Sequence, residues 1–246
     1  MEFGCAGSVA RWADEGADVT VAVVTDGSTG TQDRELMGER LAAIRHEESQ
    51  AAADVLGVKE LVWMGNVDGY VEYTLELRKE IARLFRRYRP HRFVVMDPTP
   101  TIEDRFVNHP DHRAVGQTSL DVTLSAGTTP GHFPELLDEG LEPWRGLRDL
   151  YIAGPGTKPV AVDISATIER KIQALLCHRS QVGDNAEGIE QWVRQWSAEA
   201  GKAAGFEFAE TFQVIAQGPG FHDGEQDEEV GDLPQAPPDP RANPSS

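Results

Sequence analysis

A chain of 246 residues, 39% of them hydrophobic, is long enough for one large α/β domain with a buried core. Its formal charge of −18 at pH 7 argues against a polyanionic partner such as nucleic acid. No apolar run approaches the roughly 20 residues that a membrane span needs.

In chain order, Gly4 to Glu15 reads as an amphipathic helix with Val9, Ala10 and Trp12 among its apolar positions. Val19 to Thr25 is a continuous β-branched run, as expected of a strand covered on both faces. It ends in the loop signal Asp26-Gly27-Ser28-Thr29-Gly30. Leu36 to Leu56 reads as a helix stopped by Gly57. Glu60 to Met64 is a second strand, and Tyr73 to Tyr88 a helix with Leu75, Leu77, Ile81, Leu84 and Phe85 at its apolar positions, ended by Pro90. Arg92 to Met96 is a third strand, closed by Asp97-Pro98. A helix is predicted from about Pro110 to Leu124, strands over Asp149–Ile152 and Val160–Ile164, and a helix over Ala166–Cys177. From Gly220 to Ser246 seven acids face one arginine, so −6 of the charge lies in a proline-rich segment expected to be a disordered tail. Residues 1–219 are therefore expected to form the folded domain.

Strands separated by helices of this length imply βαβ units, a mainly parallel sheet flanked by helices, and a site at the carboxyl ends of the strands. Asp26, Asn66 to Asp68, Asp97 and the loop carrying His109 all fall there. One element is out of order: such sheets open with a central strand, and this chain opens with a helix.

The chemistry concentrates in Asn108-His109-Pro110-Asp111-His112-Arg113. His109 and His112 stand at i and i+3, Pro110 suits the first helical position, and Asp111 falls in the first turn, where the helix dipole favours an acid. Two imidazoles and a carboxylate suit a metal site with acid/base groups beside it. On spacing alone the pair reads equally well as a helix start with two incidental histidines. Arg45 and Glu48 share a helix face and read first as a solvated ion pair, Asp68 reads as a turn residue, and His178 as a helix C-terminal cap. No Gly-x-Gly-x-x-Gly precedes Asp26, which rejects a dinucleotide site. Cys5 and Cys177 read as reduced thiols, and no leader follows Met1, so a cytoplasmic location is expected.

In order along the chain, Glu2-Phe-Gly-Cys-Ala-Gly7, Val23-Val24-Thr25-Asp26-Gly27, Arg45-x-x-Glu48, Gly65-x-x-Asp68-Gly69, His109-Pro110-Asp111-His112 and His178-x-Ser180-Gln181 resemble one family, the zinc-dependent N-acetylglucosaminyl deacetylases of the PIG-L or LmbE-like type. That family includes the mycothiol and bacillithiol biosynthesis deacetylases and the mycothiol-conjugate amidases. The resemblance implies a Rossmann-like fold and hydrolysis of the acetamide of an N-acetylglucosamine-type sugar or related conjugate. It implies Zn2+ as cofactor with His112 as a ligand. His109 would stabilise the oxyanion or protonate the leaving amine, with Asp111 orienting it, and Arg45 and Asp68 would bind the sugar. A small amino sugar is the implied partner, with no nucleic acid or membrane, and homo-oligomerisation is left open.

The chain departs from the family at its start. The family opens with a strand ending in Ala-His-Pro-Asp-Asp, which supplies two zinc ligands and the general base, and Met1 falls just after it. The expectation is therefore an N-terminally truncated deacetylase whose first central strand and remaining ligands lie upstream. The alternative is a non-catalytic sugar-binding relative.

Overall fold

The computed structural model describes residues 1–216 except 104, 105, 155, 157 and 184. The expected acidic tail, 220–246, lies outside the described residues.

The elements follow the predicted order. Helix α1 (Glu2–Asp14) leads to β1 (Thr20–Thr25), α2 (Glu39–Leu56), β2 (Glu60–Asn66), α3 (Leu75–Tyr88) and β3 (Arg92–Met96). A short ribbon, β4 (Ile102–Glu103) and β5 (Phe106–Val107), precedes α4 (Pro110–Asp121). A π-helical turn (Val122–Ala126) continues α4, followed by α5 (Glu135–Asp138), β6 (Asp149–Ala153), β7 (Pro159–Asp163), α6 (Ile168–Cys177), α7 (Arg179–Val182), α8 (Ala186–Lys202) and β8 (Ala209–Ala216). The fold is α/β, with helices flanking largely parallel strands. β1 pairs parallel with β2, Val21 opposite Leu61, and β3 pairs parallel with β6, Val94 opposite Tyr151. The hydrogen-bonded strand orders are β1-β2, β3-β6-β8-β7 and β4-β5.

Where boundaries differ from the predicted ones, local chemistry accounts for it. Gly38, at φ 86°, occupies a backbone region open to glycine and starts α2 at Glu39 rather than Leu36. Thr74 caps α3, its hydroxyl accepting the Leu77 N–H, so the helix begins at Leu75 rather than Tyr73. Leu75 then sits in the first turn and is 64% exposed instead of facing the core. Gly57 ends α2 in the left-handed region at φ 76°, as its position predicts.

By its internal contacts the described chain forms two compact units, Met1–Asp68 with Pro155–Phe212, and Gly69–Gly154 with the chain from Gln213. In the first, Ala6, Val9, Leu41, Leu56, Ile164 and Ile172 are buried. Gly7 brings α1 against Ile164, because a Cβ there would lie 2.8 Å from that side chain. In the second, Leu77, Ile81, Phe85, Val95 and Leu150 are buried. Gly116 seats α4 on the end of β3, since a Cβ would overlap the Met96 carbonyl. Arg86, 1% exposed, donates to the carbonyls of Ala126, Thr129 and His132 and so collects the backbone leaving the π turn.

Candidate active site

In the second unit the site grows from the N-terminus of α4. His109 is the N-cap residue, and its Nδ1 accepts the Asp111 backbone N–H at 3.3 Å. Pro110 takes the first helical position, where its missing N–H costs nothing. The Asn108 side chain arranges the approach: its Oδ1 accepts the Thr101 N–H at 3.0 Å and its Nδ2 donates to the Thr99 carbonyl at 2.9 Å.

Asp111 is 3% exposed and both its oxygens are engaged. Oδ2 accepts the Gly69 N–H at 2.7 Å and Oδ1 accepts the Val71 N–H at 3.3 Å. Gly69 has φ 83°, a conformation that a Cβ would strain. One carboxylate thus joins two sequence motifs that lie about forty residues apart, at separations of 42 and 40. Asp111 Oδ1 stands 3.8 Å from His109 Nδ1, too long for a hydrogen bond. The His109 ring is 45% exposed, and its centroid lies 5.5 Å from that of His112, which is also exposed. The three residues singled out in this motif are therefore neighbours.

In the first unit, Arg45 and Asp68 meet across Gly30. Arg45 Nη2 donates to the Gly30 carbonyl at 3.1 Å, and a Cβ on Gly30 would lie 3.3 Å from Nη2 and 3.5 Å from Asp68 Oδ2. Thr29 Oγ1 donates to Asp68 Oδ2 at 2.9 Å. Arg45 Nε is buried with no acceptor among the described residues. Burial draws the Arg45 guanidinium below its usual value, against the opposing pull of Glu48 and Asp68. Asp26 Oδ1 accepts the N–H groups of Ser28 at 2.9 Å and Asp68 at 3.1 Å. Burial pushes its pKa up, but these hydrogen bonds outweigh burial and hold the carboxyl below its usual range.

The solvated Arg45–Glu48 ion pair expected from their spacing does not form. Glu48 is 9% exposed and accepts the Ser180 N–H and hydroxyl, each at 2.6 Å. Only the fold shows that the partner of Glu48 lies 132 positions away. His178 does terminate α6, yet it is 8% exposed rather than a surface cap, with Nε2 3.1 Å from Glu2 Oε1. That approach lacks hydrogen-bond alignment, and neither ring nitrogen has a hydrogen-bond partner among the described residues.

The donor chemistry suits a divalent metal. Within the second unit, His109 and Asp111 are residue types able to ligate an ion. Imidazole nitrogen and carboxylate oxygen are donors that zinc takes readily.

The sequence pattern of the family described as GlcNAc-PI de-N-acetylase (PIG-L) matches residues 1–123. The diacetylchitobiose deacetylase of Thermococcus kodakarensis is 33% identical over 216 residues, 87% of this chain and 78% of that protein. The probable N-acetyl-alpha-D-glucosaminyl L-malate deacetylase 2 of Bacillus anthracis is 25% identical over 187 residues, 72% of this chain and 74% of that protein. The structure of N,N'-diacetylchitobiose deacetylase from Pyrococcus horikoshii, complexed with its inhibitor MPG, superposes with a TM-score of 0.80 at 31% identity, covering 88% of this chain and 79% of the other.

Proposed function

The chain belongs to the PIG-L (GlcNAc-PI de-N-acetylase) family, and on that premise we propose that it is a zinc-dependent hydrolase removing the acetyl group from an N-acetylglucosamine-type sugar. The observation that carries the reading is the Asp111 carboxylate, buried beside His109 and gripping the Gly69 turn that follows Asp68. We assign the folded domain to residues 1–219. Among the described residues no helix is long and apolar enough to cross a membrane, and the location we propose is the cytoplasm.

The reaction adds water across the acetamide: the carbonyl gains an oxygen, the C–N bond breaks, and a proton reaches the departing nitrogen. Zinc, when bound, would polarise the carbonyl and lower the pKa of the attacking water, and His112 would help to hold it. His109 is the proton carrier. Its Nδ1 accepts the Asp111 N–H, which leaves Nε2 as the protonated nitrogen of the neutral ring and points the donor away from the helix. The Asp111 carboxylate, 3.8 Å from Nδ1, orients the ring. Arg45, whose Nε lacks an acceptor, and Asp68 supply a donor and an acceptor for sugar hydroxyls.

The test compares the chain with a form that also carries the family's opening strand and Ala-His-Pro-Asp-Asp ahead of Met1, each given zinc and N-acetylglucosamine or N,N'-diacetylchitobiose, with acetate and free amine measured. Acetate release by the extended form that disappears on chelation and returns with zinc is the expected result, with little or none from the shorter one. Failure of the zinc-loaded extended form to release acetate from either sugar overturns the hydrolase reading; sugar binding without hydrolysis would instead favour the non-catalytic relative.

A further inference from the structure

In the first unit, α6 addresses α1 along one face. Thr167 Oγ1, at the N-cap of α6, donates to the Gly7 carbonyl at 2.8 Å. Lys171 Nζ, one turn on, donates to the Phe3 carbonyl at 2.7 Å. His178, two turns beyond Lys171, brings Nε2 to 3.1 Å from Glu2 Oε1. Positions 167, 171 and 178 fall on one side of a helix of 3.6 residues per turn. The contacts therefore descend α1 as α6 advances, and the last one falls on the first residue of α1.

That last contact differs from the other two. The His178 and Glu2 side chains are 10% and 17% exposed, yet neither ring nitrogen has a hydrogen-bond partner among the described residues. A buried polar group in this state carries a desolvation cost that a partner recovers. The backbone that carries the ring is held on both sides. His178 donates its N–H to the Leu175 carbonyl at 3.1 Å, and Ser180, two residues on, gives its N–H and hydroxyl to Glu48 of α2. His178 thus stands opposite a carboxylate, with hydrogen-bonding capacity unmet where α1 begins. We infer that His178 is a positioning residue: it holds Glu2, and through Glu2 the chain that enters α1, in the place that zinc binding requires. The inference rests on the zinc-hydrolase reading, in which the remaining ligands directly precede Met1, and adds the residue that steadies them. Such ligands work only when held to within about 0.5 Å, and the groups behind them supply that constraint.

Zinc affinity of the extended form, measured by competition with a chelating dye, tests it. His178→Leu weakens zinc binding by about tenfold or more, the range found for groups that orient metal ligands. The urea midpoint of the zinc-free protein changes little, because an apolar side chain replaces a ring whose nitrogens lack partners. His178→Gln keeps most of the affinity, since its amide nitrogen reaches the place of Nε2. Adding Glu2→Leu to His178→Leu weakens zinc no further, because the two side chains act as one unit. The inference is overturned if the extended wild type binds no zinc, or if His178→Leu binds it as tightly as the wild type. It is also overturned if the loss of affinity tracks a fall in the zinc-free midpoint, if His178→Gln behaves as His178→Leu, or if the losses at Glu2 and His178 add. Acetate release by the same proteins keeps the two readings apart. Zinc bound without acetate released sinks the hydrolase reading and leaves the affinities to decide on His178; acetate released with zinc affinity unchanged in His178→Leu sinks the inference alone.

Discussion

Lys171 Nζ lies 2.6 Å from Glu210 Oε1, with the two side chains 1% and 3% exposed. Both charges are fully engaged. Lys171 also donates to the Phe3 carbonyl at 2.7 Å, and Glu210 accepts the N–H groups of Gly7 and Ser8 and the Ser8 hydroxyl. The pair fastens α1 to α6 and β8 inside the first unit.

Removing one partner leaves the other charge buried and unpaired. Lys171→Met is expected to cost about 3–5 kcal/mol in urea unfolding, whereas Lys171→Met combined with Glu210→Gln recovers a large part of that loss. Equal destabilisation of the single and double variants would show that the charges do not depend on each other.

Asp26 makes stability depend on pH. Its folded-state pKa is depressed, so its contribution is present above the ordinary aspartate value and is lost as pH falls through the lower folded-state value. Asp26→Asn is expected to destabilise the chain by roughly 1 kcal/mol at pH 7, with the gap closing in acid as the wild-type carboxyl protonates. Unfolding midpoints measured from pH 7 down to pH 3 check this; a gap that widens in acid contradicts it.

Asp111→Ala releases two backbone amides. Hydrogen exchange at Gly69 and Val71 should accelerate by more than tenfold relative to the wild type, each bond being worth about 1–3 kcal/mol because its acceptor is charged. Deacetylation should fall with it, because the turn that follows Asp68 is no longer held. Unchanged exchange at both amides would mean that the turn is held by other contacts.

His109→Gln keeps an acceptor near the start of α4 but cannot carry a proton. The expected result is a kcat lower by roughly 10²- to 10⁴-fold with KM little altered. A variant of nearly wild-type kcat would remove His109 from the proton-transfer role.

Much of the fold could be read from local pattern. Arg92–Met96 is a strand at the predicted boundaries, Pro110 begins a helix and Gly57 ends one. Each of these follows from a run of β-branched residues or from a backbone restriction carried by one residue. The ribbon β4–β5, helix α8 and strand β8 are not among the predicted elements. The ribbon strands have two residues each, too few for a period to show. The last predicted element ended at Cys177, and α8 alone is polar enough over 17 residues that its buried face is only Val193, Ser197 and Gly201.

The sequence by itself determined the kind of chemistry and the family, because His109-Pro110-Asp111-His112 and its companion motifs are local arrangements whose residue types carry their meaning. Only the tertiary structure decided what each acid does. Asp111 grips the Gly69 turn, Glu48 accepts hydrogen bonds from Ser180, and Glu210 pairs with Lys171, at separations of 42, 132 and 39 residues. A carboxylate reads as solvated when only its near neighbours are known. It becomes a buried structural or catalytic group when the fold removes water and leaves distant N–H groups and cations as its remaining partners.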